Sequence, residues 1–140
     1  MEPPMRIRVI AYVTVLIVMG VLDGVWLSFA VSRVYRPGIG HLMADRPHWE
    51  PALAFYLLYA AGITYLVTLP ALDADPMWSP MVGATRGAVL GLVAYGTYDL
   101  TSLAILRGWP VGVTVIDMVW GAVITGVSAG AAVWVAGRFG

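Results

Sequence analysis

Cysteine and lysine are both missing from this chain, and charge of either sign is scarce: eight arginines stand against eight acidic residues, together 11% of 140 residues. Without cysteine there are no disulfides, no thiolate metal sites and no cysteine nucleophile. Net charge is zero and the charges are scattered singly, so no basic patch or run points to a nucleic-acid partner, and that class is excluded. Soluble domains carry about 25% charged residues, which this chain does not approach. Familiar catalytic signatures are missing too: there is no Gly-x-Ser-x-Gly elbow, no His-Glu-x-x-His and no phosphate-binding loop. His41 and His48 lie seven apart in a polar stretch, without the one-face spacing of a helical metal pair, so no metal site is expected.

What the chain has in quantity is hydrocarbon. Sixty per cent of it is hydrophobic and its mean hydropathy is +0.83, which places it among integral membrane proteins. The pattern predicts an all-α fold of one domain over residues 1–140, with four transmembrane helices near 9–31, 51–69, 81–106 and 111–136. The first apolar run, about 23 residues, would reach roughly 35 Å, enough to cross a hydrocarbon core of about 30 Å. Ser28-Phe29-Ala30 loosely resembles a signal cleavage site, but the run is long and contains Asp23 and Trp26, so a retained span is expected.

Residues 32–50, with Arg33, Arg36, Pro37, Gly38, Gly40, His41 and Pro47, read as the one long loop. Pro51 suits the first turn of the second helix, where its missing donor would be unpaired anyway. Pro70, Asp73, Asp75, Pro76 and Pro80 read as a short acidic loop, and Arg107-Gly108-Trp109-Pro110 as a tight turn. Trp49, Trp78 and Trp109 fit interface anchors. Short connections imply an up-down antiparallel bundle, with both termini on one side (side A) and the 32–50 stretch on the other (side B). Arginine counting ties at four against four; the leader with Arg6 and Arg8 tips side A towards the cytoplasm. The expected location is the bacterial cytoplasmic membrane.

Within these spans the polar residues are few and placed alike. Asp23, Asp99 and Asp117 each fall about 7 to 10 residues in from side B, roughly 10 to 15 Å along the helix axis. Tyr56, Tyr59, Tyr95, Tyr98, Trp26, Trp120, Thr101 and Thr114 lie near the same level. An ionisable group at such depth costs roughly 2.5–3.5 kcal/mol on insertion scales and faces the bundle interior. The pattern therefore predicts an aromatic-lined acid pocket. Three carboxylates cannot all be ionised there without a cation, so either a proton is held or Arg33, Arg36, His41 or Arg107 reaches in from side B.

Two further patterns bear on packing. Gly83, Gly87, Gly91, Tyr95 and Asp99 follow at intervals of four, as do Asp117, Gly121, Thr125 and Ala129, and small residues at this spacing let membrane helices approach closely. They fit intramolecular packing or a homodimer face. Val21-Leu22-Asp23-Gly24-Val25-Trp26 and Val115-Ile116-Asp117-Met118-Val119-Trp120 share Val-x-Asp-x-Val-Trp on helices of opposite direction. The rest of the halves do not align, so a shared local environment explains the motif better than duplication.

At these residues the chain resembles a family of small bacterial membrane proteins known as domain of unknown function 2177. The matching pieces are Leu22-Asp23 with Trp26-Leu27, Tyr35 with Gly40-His41, Phe55-Tyr56 with Tyr59, Tyr95-Gly96-Thr97-Tyr98-Asp99-Leu100-Thr101, and Trp109-Pro110 followed by Asp117, Trp120 and Gly121. Ser102 stands where the family pattern leads one to expect an amide. The resemblance implies a four-span fold and a shared polar set without an assigned activity, and its association with lipid-modification genes tilts the ligand towards lipid.

Three functions fit this reading. In the first, the pocket binds a lipid headgroup or small amphiphile, with Asp99 and Asp117 as working carboxylates and acid-base chemistry open to them. A second is a proton- or cation-coupled translocator acting as a dimer. In the third, an accessory or assembly subunit, the acids are structural. Partners expected are membrane lipid and, as alternatives, a second copy or another membrane protein; no cofactor is indicated, and whether the protein is an enzyme stays open.

Overall fold

The computed structural model describes residues 2–74 and 79–140. Asp75, Pro76 and Trp78, read above as loop and anchor, lie outside the described residues. Those described form only helices and short connections. Four helices are long and apolar enough to cross a membrane: α1 Met5–Leu42, α2 Trp49–Leu72, α3 Ser79–Ile105 and α4 Val111–Phe139. Arg6 donates to the Phe139 carbonyl at 3.1 Å, so the start of α1 and the end of α4 share side A. A cation there also complements the negative end of the α4 dipole.

Two of these helices run further than their prolines suggest. The stretch beginning at residue 32 was expected to be loop, yet α1 continues to Leu42 through a π-helical turn at Val31–Tyr35. Likewise α2 passes Pro70 and ends at Leu72, with a π-helical turn at Thr64–Thr68. The physical cause is shared. Proline has no N–H for the carbonyl four residues back and its ring collides with that carbonyl. In both helices the proline sits two residues past a wide turn, where Arg36 N–H bonds the Val31 carbonyl and Leu69 N–H the Thr64 carbonyl. The i→i+5 pattern opens the backbone just ahead of the ring, so the helix continues.

The tightest packing joins α3 to α4. The glycine ridge of α3 lies against Gly121, Thr125 and Ala129 of α4, and a Cβ at Gly87 would come within 2.7 Å of the Thr125 carbonyl. In return, Gly126 and Gly130 lie against Ala84, Ala88 and the α3 backbone. These two ridges thus serve packing within the chain. Next, α1 packs along α4, burying Val15, Met19, Ile124 and Ala132 with Ala60 and Ile63 of α2. The backbones of α2 and α3 approach most closely over the Thr64–Leu72 half of α2; along Trp49–Ile63 they meet through side chains, Tyr59 against Tyr95 with ring centroids 6.2 Å apart. The bundle is therefore open between the α2 and α3 backbones towards side B.

At that end the α3–α4 turn holds Gly108 at φ +76°, a left-handed conformation that glycine adopts without strain. Trp109, expected as an interface anchor, is buried instead: its Nε1 donates to Thr114 Oγ1 at 3.0 Å. Gly38 lets the extension of α1 lie on this turn, since a Cβ there would meet Val113 at 2.6 Å.

A paired substitution tests this packing. A Cβ at Gly91 would overlap the Gly121 carbonyl, and overpacking of this kind costs about 1–3 kcal/mol against a helix-propensity gain of about 1 kcal/mol. Gly91→Ala should thus lower stability to unfolding in detergent micelles by up to about 2 kcal/mol. Gly24, with nothing within 4 Å of its would-be Cβ, should tolerate alanine without loss.

Candidate functional site

Three aspartates from three helices meet near the side-B end, and they differ in how far the protein satisfies them. Asp23 of α1 has both oxygens occupied. The Tyr56 phenol donates to Oδ2 and Trp120 Nε1 donates to Oδ1 at 3.2 Å. Asp117 of α4 accepts one hydrogen bond, from the Tyr35 phenol at 2.5 Å, and the Tyr35 oxygen in turn accepts Trp26 Nε1 at 3.0 Å. Asp99 of α3 is fully buried and neither of its oxygens has a donor. Its polar neighbour is the Asp117 carboxyl, which lies beside it. Both groups are acceptors when ionised, so neither satisfies the other without a proton or cation between them.

The two Val-x-Asp-x-Val-Trp segments face each other across the α1–α4 contact. Each tryptophan serves the other segment's acid: Trp120 reaches Asp23 directly, and Trp26 reaches Asp117 through Tyr35. The indoles stack between them, centroids 4.8 Å apart and planes 15° from parallel, an arrangement worth about 0.5–1.5 kcal/mol beyond the area it buries. Tyr59 is held by Thr125 at 2.7 Å, and Tyr95 lies between Tyr59 and Gly121.

Tyr35 was absent from the candidates because it fell in the expected loop. On an unbroken α-helix, nine residues at 100° each would set Trp26 and Tyr35 on opposite faces. The wide turn at Val31–Tyr35 reduces that offset and brings the phenol over the acids. Its signal in the sequence was its place, with Gly40 and His41, among the residues that carry the family resemblance.

Other expectations are corrected. Thr101 is exposed and its hydroxyl bonds the carbonyls of Thr97 and Tyr98 on its own helix, the back-bonding usual for threonine in apolar helices. The four basic candidates do not reach in. Arg33 lies over the Phe29 ring at 4.3 Å, while Arg36, His41 and Arg107 are exposed and none pairs with an acid. Among the described residues the ion pair is Arg8 with Glu2 at 2.6 Å, at side A. Long side chains near a helix end reach outward to water, where their charge is solvated.

Tyr98 is also largely exposed, edge-on to Trp109 at 5.6 Å, but it borders a cavity. That cavity, about 400 Å³, is lined by Phe55, Ala94, Tyr95, Tyr98 and Asp117, and lies in the gap between α2 and α3. A second cavity of about 240 Å³ adjoins it through Phe55 and is lined by Leu58, Tyr59, Gly62, Leu66 and Leu90. Together they form a groove with an acidic floor at its side-B end and apolar walls below. The outer rims, Leu58, Leu66 and Tyr98, are more than half exposed, so the groove faces the surface that lipid would cover.

Fold and site together define a small multi-pass helical membrane protein with an intramembrane acid–aromatic network. A family model described as "Predicted membrane protein", domain of unknown function 2177, matches residues 8–134. The chain belongs to that family. No curated protein and no solved structure matches it significantly.

The network makes a direct prediction. Tyr35→Phe removes the donor to Asp117 and the acceptor for Trp26, and should destabilise the protein by about 1–3 kcal/mol. In a double-mutant cycle with Trp26→Phe, unfolding in detergent should show a coupling energy of at least about 0.5 kcal/mol.

Proposed function

We propose that the protein binds a membrane amphiphile, its headgroup against Asp117, with Asp99 buried behind it, and its tail along the groove between α2 and α3. The observation that carries this reading is the conjunction of a carboxyl, Asp117, backed by a second buried acid, with a laterally open, apolar-walled groove. Ligand sites are concave and mostly apolar, with a small number of placed polar groups, and this groove fits that description. With both acids ionised, Asp99 is buried without a donor, which is costly, so the pair holds either a proton or an external cation. Asp23 supports the assembly reading only for itself, since both of its oxygens are used inside the protein. The setting that accords with four long apolar helices is a bacterial cytoplasmic membrane, whereas bacterial outer membranes employ β-barrels.

Gly62 offers a test that leaves the acids untouched. It lines the apolar part of the groove, and a Cβ there meets nothing within 4 Å, so Gly62→Leu should fold while filling the space for a tail. Native mass spectrometry of gently purified wild-type protein should show a co-purifying amphiphile, and Gly62→Leu should retain it about tenfold less, the equivalent of ~1.4 kcal/mol. A wild-type protein free of amphiphile, or equal retention by the variant, contradicts the reading.

A further inference from the structure

We propose that the headgroup bound at Asp117 is an ammonium carrying N–H donors, the head of an amino lipid or a long-chain amine. This rests on the amphiphile reading and goes beyond it by naming the chemistry of the head. The site has carboxyl groups and no cation. Asp99 is fully buried with neither oxygen paired, Asp117 forms the floor of the groove beside it, and one of its oxygens is already given to Tyr35. Arg33 is engaged with Phe29, and Arg36, His41 and Arg107 point to solvent.

Charge decides among the headgroup classes. A phosphate or carboxylate head would be set against two acidic groups with no basic side chain to hold it, and like charges at close range in a low dielectric repel strongly. A polyol would supply donors without compensating charge. An ammonium supplies both: its charge is opposite to that of the acids, and its N–H groups serve the Asp117 carboxylate at the cavity in hydrogen bonds strengthened by charge, while Asp99, buried behind Asp117, acts through its charge. The remaining walls suit a cation as well. Phe55, Tyr95 and Tyr98 line the cavity, and aromatic faces attract ammonium groups. Recognition by N–H donors, and not by the aromatic walls alone, favours a primary ammonium over a trimethylated one.

The test compares four probes with one tail on the purified full chain: dodecylammonium, dodecyltrimethylammonium, dodecanol and dodecyl phosphate, read by native mass spectrometry. Dodecylammonium should bind at least about tenfold more tightly than each of the others, and Asp117→Asn should abolish that preference while dodecanol binding persists. The wild-type comparison alone decides the matter should the variant fold poorly. Dodecanol, dodecyl phosphate or dodecyltrimethylammonium binding as tightly as dodecylammonium overturns the ammonium assignment and leaves the amphiphile reading standing. If none of the four binds in a manner sensitive to Gly62→Leu, both readings fall together. The source of the head is separated by competition: displacement of dodecylammonium by nanodiscs of phosphatidylethanolamine, but not phosphatidylglycerol, marks a membrane amino lipid. If neither displaces it, the source is a single-chain amine.

Discussion

A carboxylate inside a membrane has no water to turn to, so every oxygen must find a donor within the protein or keep its solvation debt. That constraint organises the side-B half of this bundle. Of two acids on the antiparallel pair α1 and α4, Asp23 takes the Trp120 indole of α4 and the Tyr56 phenol of α2, Asp117 takes the Tyr35 phenol of α1, and the Trp26 and Trp120 indoles stack where α1 and α4 touch. The repeated Val-x-Asp-x-Val-Trp follows from that exchange. Acid and tryptophan three residues apart lie on one helix face, so each antiparallel segment can give a donor and take one.

Satisfaction is graded across the site, and the gradient has a direction. Asp23, at the α1 side, is complete; Asp117 is half used; Asp99, on α3, has nothing. Unmet acceptor capacity therefore accumulates where α2 and α3 separate and the groove begins. The glycine ridges make this geometry available. They draw α3 onto α4 closely enough to bring Asp99 beside Asp117, while the backbone of α2 comes nearest to α3 in its Thr64–Leu72 half and leaves a gap above.

Much of this was legible in the sequence, and the reasons for the remainder are specific. Four apolar runs and the four-residue spacing of Gly83, Gly87 and Gly91 carry the helices and their tightest contact, because lipid imposes length and close approach imposes small residues. Pro37 and Pro70 misled, since proline reads as a breaker and a π-helical turn ahead of it leaves no periodic signature. Tyr35 was lost to the presumed loop for the same reason. Arginines were misjudged because sequence gives a position along the helix and not the direction of a long side chain, as Arg33 over Phe29 shows. Thr101 failed through local chemistry, its hydroxyl returning to its own backbone. The groove was invisible altogether, for it arises from where the backbones of α2 and α3 diverge and only aromatic side chains bridge them.

Occupancy of that groove is the central claim, and photolabelling reads it most directly. Wild-type protein in native-membrane nanodiscs, irradiated with a diazirine placed in the tail of a long-chain amine, should be labelled in the peptides carrying Phe55, Leu58, Leu66 and Leu90, with protection by excess unlabelled amine. Labelling spread evenly over the outer faces of α1 and α4, at Val13, Ile17, Val119 and Val127 as much as at the groove, would contradict the account.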